Sequence, residues 1–194
     1  MDTARPRIKQ ALVKLLTDNE FSKISVTQIC REAGLSRVTF YIWYDSKEAL
    51  LDDYFQDIVT DGVEYYHKLL SVQEDEPSSG LKRYYHALSG TIFYLGRRYY
   101  DFMVHVFDES GREDQVLYDR YHAIVMKEVS DLMRGHESSI APPLRSSEVV
   151  TFILNGISSL IRSDLKAGIA PEEVQDHVNT VIDHVLESGL FIQR

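Results

Sequence analysis

Between Ser25 and Leu51 the chain reads SVTQICREAGLSRVTFYIWYDSKEALL, and few folds accommodate that order of signals. Ser25 and Gln28 have the spacing of a capping box, in which the hydroxyl takes an orphan helix N–H and the amide reaches back. Val26, Ile29, Cys30 and Ala33 follow as one apolar stripe at helical spacing. Gly34 then stands where a left-handed residue ends the helix, and Leu35 fills the corner. Ser36 is placed to cap a second helix, and Asp45 with Glu48 to open a third. Two short helices in a fixed corner, feeding a long one, is what the stretch predicts.

The second helix mixes residue types that a purely structural helix does not need together. Phe40 and Tyr44, four apart, face inward and leave Arg37, Val38, Thr39, Tyr41 and Trp43 largely outward. Such a surface suits a DNA major groove: arginine donates bidentately to guanine, valine touches a thymine methyl, and hydroxyls reach phosphates. Lys47 falls in the first turn of the next helix, where a cation opposes the helix dipole, so it reads as a phosphate ligand. Thr27, at the start of the preceding helix, completes the expected DNA-contacting set.

At these residues the chain resembles the TetR family of one-component transcriptional regulators. The resemblance rests on Ser25-Val26, Ile29, Ala33-Gly34-Leu35-Ser36, Thr39, Tyr41, Lys47 and Leu50, and covers about the first quarter of the chain. Tyr44 stands where the family usually has Phe, Asp45 where it often has Pro, and Trp43 where it often carries His or another polar group. The resemblance implies a homodimer joined by two C-terminal helices per subunit. A second, short likeness over Gly156 to Val174 is to the subgroup of dihydroxyacetone-kinase regulators.

The net charge of −9 is at first sight the wrong sign for nucleic acid. Residues 1 to 50, however, hold eight Lys and Arg against six Asp and Glu, a net +2, which leaves −11 to the remainder. The acidic part is then expected to face away from DNA and help orient the molecule on it. Arg5 and Arg7 open the first helix, Arg5 to Thr17, and read equally well as a solvated face or as phosphate or minor-groove contacts. No run of roughly 18 apolar residues spans a membrane, and the charged N-terminus lacks a secretory apolar region. Cys30 is the only cysteine, so neither an intramolecular disulfide nor a cysteine-based zinc site is expected, and a cytoplasmic setting fits.

Helical periodicity continues through Ser46 to Leu70, Leu81 to Leu95, Tyr99 to Phe107, Asp114 to Arg134, Ser146 to Lys166 and Pro171 to Ser188. Breaks are expected over 71–80 and at Gly96, Gly111, Gly135 to Pro143 and Gly168 to Ala170. The fold expected is all-α: a three-helix helix-turn-helix DNA-binding head over residues 1–50 and a larger helical effector-binding and dimerisation body over 51–194. Seven tyrosines fall between Tyr84 and Tyr121, and Tyr84, Phe102, His105, Tyr121 and His122 are candidates to line a pocket for an aromatic or amphipathic small molecule. The same residues also suit a packed core, since tyrosine buries its ring and wets its hydroxyl. The helix from Ser146 is apolar nearly all round and needs cover on every side, which a second subunit would supply. Ile153, Ile157, Val178 and Val185 are the expected contacts.

The function expected is that of a dimeric regulator, a repressor released from a palindromic DNA operator by a small-molecule ligand. The alternative is a DNA-binding regulator without a small-molecule effector, controlled by a protein partner or acting as an activator. No nucleophile-base pair, phosphate loop or metal motif argues for an enzyme. No cofactor, metal or membrane is expected.

Overall fold

The computed structural model describes residues 3–72, 80–107, 115–134 and 145–188. Among them are nine α-helices and no strand, as the periodicity predicts: α1 (Ala4–Leu16), α2 (Val26–Ala33), α3 (Arg37–Trp43), α4 (Lys47–Val72), α5 (Gly80–Arg98), α6 (Tyr100–Phe107), α7 (Gln115–Met133), α8 (Ser146–Lys166) and α9 (Pro171–Glu187). A 3-10 turn, Phe21–Lys23, joins α1 to α2. The breaks expected at Gly111 and Gly135 to Pro143 lie outside the described residues, as does most of the loop expected over 71–80. Gly96 ends nothing: α5 runs through it to Arg98. One glycine costs a helix interior about 1 kcal/mol, which the flanking turns readily absorb.

The corner between α2 and α3 forms as its residues dictate. The capping box is complete: Ser25 Oγ accepts from the Gln28 amide at 3.3 Å, and Gln28 Oε1 accepts from the Ser25 amide at 2.9 Å. Gly34 adopts φ 62° and ψ 39°, and the Leu35 N–H closes the turn onto the Cys30 carbonyl at 2.9 Å. Ser36 Oγ accepts from the Thr39 amide at 3.0 Å and caps α3. The cap of α4 sits one residue later than expected. Ser46, not Asp45, takes the amide of Ala49 at 3.1 Å, which puts Lys47 at the first helical position.

The chain divides into two compact units, and the division differs from the one at residue 50 that the sequence suggests. Unit one comprises residues 1–60 and 96–124, unit two residues 61–95 and 125–194. The core of unit one gathers Ile8, Leu12, Phe21, Ile29, Phe40 and Leu50 around α1 to α4. Phe102 of α6 is wholly buried, with its ring 4.9 Å from Tyr54 and 5.6 Å from Phe55. Unit two is built on α8 and α9: Val150, Ile153, Ile157, Val178 and Ile182 pack with Tyr66, Tyr85 and Met133 into one core.

Candidate nucleic-acid interface

The exposed surface of α3 is made by Arg37, Val38, Tyr41, Ile42 and Trp43. Arg37 and Val38 sit in its first turn and Tyr41 and Ile42 in its second, all four exposed, while Phe40 is completely buried beneath them. The side chains at i and i+4 share a helix face, so Arg37 pairs with Tyr41 and Val38 with Ile42. The guanidinium of Arg37 lies over the Tyr41 ring, 5.8 Å from its centroid, and donates to the Tyr41 hydroxyl at 3.5 Å. That contact holds the long arginine against the helix without using up its remaining donors. Thr39 is half-buried and its hydroxyl shares a hydrogen bond with Ser36 at 2.9 Å. Trp43 is 37% exposed, and Thr27 is exposed at the start of α2. Of the expected DNA-contacting residues, Thr27, Arg37, Val38, Tyr41 and Trp43 therefore reach the surface, and Thr39 does so in part.

Two groups of cations have structural duties where DNA contact was considered. Lys47 Nζ donates to three backbone carbonyls, those of Phe21 at 2.7 Å, Ser22 at 3.1 Å and Ile24 at 2.8 Å. It also stands 4.6 Å from the Phe21 ring centroid. The three hydrogen bonds hold the Lys47 ammonium against the turn that precedes α2. The cation tolerates a helix N-terminus because those carbonyls outweigh the dipole's opposition. Truncation to alanine is expected to lower the stability of unit one by about 2 kcal/mol, the worth of hydrogen bonds from a charged donor. Urea unfolding followed by fluorescence of Trp43, the only tryptophan in the chain, checks this, and an unchanged midpoint would refute it.

Arg7 and Arg5 are likewise engaged within the unit. Arg7 donates to the carbonyls of Ala33 at 2.6 Å and Gly34 at 3.4 Å, where α2 has run out of partners. Arg5 pairs with Asp53. Asp53 also accepts from the Tyr44 hydroxyl at 2.7 Å and from Lys9 Nζ at 2.8 Å, and Lys9 reaches Asp57 at 2.5 Å. Burial alone would push the Asp53 carboxyl up, but the hydrogen bonds from Arg5, Lys9 and Tyr44 outweigh it and hold the group well below the usual carboxylate range. This cluster ties α1, the end of α3 and α4 into one block, so the reading surface is set on a rigid base. Sequence reasoning missed the cluster because its contacts join residues 9 to 48 positions apart along the chain.

Ile42 is the surface residue that sequence reasoning passed over. It is 71% exposed, and the signal was present: it stands four residues after Val38, on the same side of a helix whose other side Phe40 fixes.

The residues proposed for an effector pocket are not brought together in either unit. Tyr84 belongs to unit two, where it packs half-buried against the α8–α9 core. Phe102, Tyr121 and His122 belong to unit one. There Phe102 is sealed between Tyr54 and Phe55, Phe55 also meets the Tyr121 ring at 5.9 Å, and His122 stacks on Tyr118 at 5.7 Å. These are packed rings, and the side chain of His105 lies outside the described residues. The expected subunit contacts line the core of unit two. Ile153, Ile157 and Val178 are buried between α8 and α9 within one chain, and Val185 packs partly buried against them. One face of the helix covers the core of its own unit. The surface of α8 instead carries Phe152, 58% exposed, with Asn155, Gly156 and Ser159, and α9 carries Val181, 49% exposed.

Comparison with known proteins agrees with the head and with the whole fold. Residues 8–54 match the family described as bacterial regulatory proteins, tetR family. The HTH-type transcriptional regulator YvdT of Bacillus subtilis (strain 168) is 23% identical over 136 residues, which cover 68% of this chain and 68% of that protein. A TetR-family transcriptional regulator from Syntrophomonas wolfei superposes with a TM-score of 0.68 at 14% identity, covering 98% of both chains. The fatty acid degradation regulator FadR from Bacillus halodurans gives 0.68 at 12% identity, over 94% of this chain and 95% of that one. The dihydroxyacetone kinase operon activator DhaS gives 0.53 at 16% identity, over 98% of this chain and 99% of the other. No described helix is long and apolar enough to cross a membrane.

Proposed function

We propose that this chain, whose residues 8–54 match the tetR family of bacterial regulatory proteins, is a DNA-binding transcriptional regulator that works as a homodimeric repressor on a palindromic operator and is released by a small molecule. Residues 1–50 carry the DNA contacts in this reading, and 51–194 carry dimerisation and effector binding. The observation that carries the DNA contact is the surface of α3, where Arg37 and Tyr41 stand exposed on a helix capped at its N-terminus by Ser36 and anchored by the buried Phe40. Arg37 is its only long cation, and arginine reads guanine through two parallel hydrogen bonds.

A mobility-shift assay on the DNA upstream of the chain's own gene tests the reading. Arg37→Ala is expected to weaken binding by about 1 to 3 kcal/mol and to relax preference at one base pair per half-site. Unchanged affinity and unchanged base preference would remove Arg37 from the groove.

Dimerisation is supported by the apolar and small residues that α8 and α9 leave at the surface. Phe152, Asn155, Gly156 and Ser159 recur at i, i+3, i+4 and i+7, so they form one stripe along α8. Val181 offers an apolar neighbour on α9. A four-helix contact through these faces would present two α3 helices to successive major grooves, about 34 to 36 Å apart.

Release by a small molecule rests on linkage: a ligand acts only through its different affinity for the two states, and a hundredfold loss of DNA binding needs about 2.7 kcal/mol of coupling. Operator DNA must then weaken the ligand by the same factor. The packing of Phe102, Tyr121 and Tyr54 into core favours a second reading, a regulator without a small-molecule effector. Solved relatives of this fold include an activator by name, so the direction of control is part of the proposal. Reporter expression with and without the gene separates repression from activation.

A further inference from the structure

Beside Arg37 and Tyr41, the exposed surface of α3 carries two aliphatic side chains, Val38, for which a thymine-methyl contact is already expected, and Ile42. Val38 is 74% exposed and Ile42 is 71% exposed. They stand four residues apart on one side of the helix, about 6 Å from each other along its axis. Their neighbours are polar and satisfied: Thr39 shares a hydrogen bond with Ser36, and Tyr41 accepts one from Arg37. Two branched aliphatic side chains held out in water beside such groups mark a surface built to be covered. In a DNA-binding regulator, what covers the helix that follows the glycine corner is the major groove. The aliphatic group that base edges present there is the C5-methyl of thymine, and cytosine offers an amino donor instead, which an aliphatic side chain leaves stripped of water and unpaired.

We propose that Val38 and Ile42 form a methyl-reading pair that selects thymine at two positions in each operator half-site. The spacing of the pair along α3 approaches two base-pair steps of about 3.4 Å each, so the thymines lie one or two steps apart. Arg37 fixes the register by its guanine contact, and the aliphatic pair reads beside it. This inference rests on the DNA-binding reading above, and the experiment keeps the two apart.

Duplexes are first selected from a random double-stranded library with the full chain. In the enriched sequence each thymine is then replaced by deoxyuridine, which keeps every hydrogen-bonding group and removes only the methyl. Binding is expected to fall about fourfold at the positions read by the pair, the factor equivalent to about 0.8 kcal/mol for one buried carbon. With Ile42→Ala, thymine and uracil should bind alike at one of those positions, and with Val38→Ala at the other. Both residues are exposed, so both variants are expected to keep the wild-type helical circular dichroism and melting temperature. Equal binding of thymine and uracil duplexes throughout overturns the proposal while leaving Arg37 and the DNA-binding reading in place. Discrimination that survives both variants also overturns it. If no sequence is enriched, the DNA-binding reading itself fails and the pair fails with it.

Discussion

Asp53→Ala is expected to destabilise unit one by about 2 to 4 kcal/mol, somewhat below the full cost of breaking a buried ion pair because Lys9 keeps Asp57. Three donors converge on this carboxylate: Arg5, Lys9 and the Tyr44 hydroxyl. Lys9 is the side chain at risk, since it is only 10% exposed and its ammonium then faces Asp57 and one backbone carbonyl alone. Tyr44, buried at the end of α3, loses the acceptor for its hydroxyl, and the reading helix loses its anchor to α4. Unfolding followed at Trp43 measures the loss, and operator binding should weaken in parallel as α3 becomes free to shift. A change below about half a kcal/mol, the scale of an ordinary surface substitution, would show that the cluster is incidental.

The same carboxylate sets a pH dependence. It is held well below its ordinary value of 3.8 in the folded chain, so the folded state binds its proton less readily than the unfolded state does. Its contribution is therefore fully present above the ordinary value and is lost as pH falls below about 4. Wild-type stability at Trp43 should drop through that range, and Asp53→Ala should lack that part of the drop.

Phe152→Glu is expected to leave the chain monomeric at micromolar concentration and to reduce operator affinity at least a hundredfold, about 2.7 kcal/mol. The reason is the cost of enclosing a carboxylate without a partner at the centre of a contact. Since Phe152 is 58% exposed in the single chain, the subunit itself should fold, with helical circular dichroism unchanged. Ile157→Ala provides the contrast. Ile157 is 5% exposed and belongs to the core between α8 and α9, so its loss should cost about 2 to 5 kcal/mol of stability. Light scattering distinguishes the two. A Phe152→Glu chain that stays dimeric would place the contact elsewhere.

Sequence by itself determined the elements whose causes are local. Ser25 with Gln28, Gly34 and Ser36 fix their caps and corner within a few residues, because each hydrogen bond closes inside one turn of chain. The inward direction of Phe40 and the outward direction of Arg37, Val38 and Tyr41 follow from the helical period alone, whereas the exposure of Ile42 was read only from the folded chain. All-helical architecture was legible for that reason. What α8 faces was not. Periodicity shows that Ile153 and Ile157 need cover, but only the folded chain shows that the core around α9 of the same unit supplies it, leaving Phe152 and Val181 at the surface. The duties of the cations were equally hidden. Lys47 spends its protons on carbonyls more than twenty residues away and Arg5 meets Asp53 across 48 residues. Charge is a property of the residue, but its partner is a property of the tertiary structure. Tyr84 and Phe102 look like one aromatic cluster in a list of residues, yet they fall in different compact units, because closeness along a chain of helices fixes neither the direction of a side chain nor the core it joins.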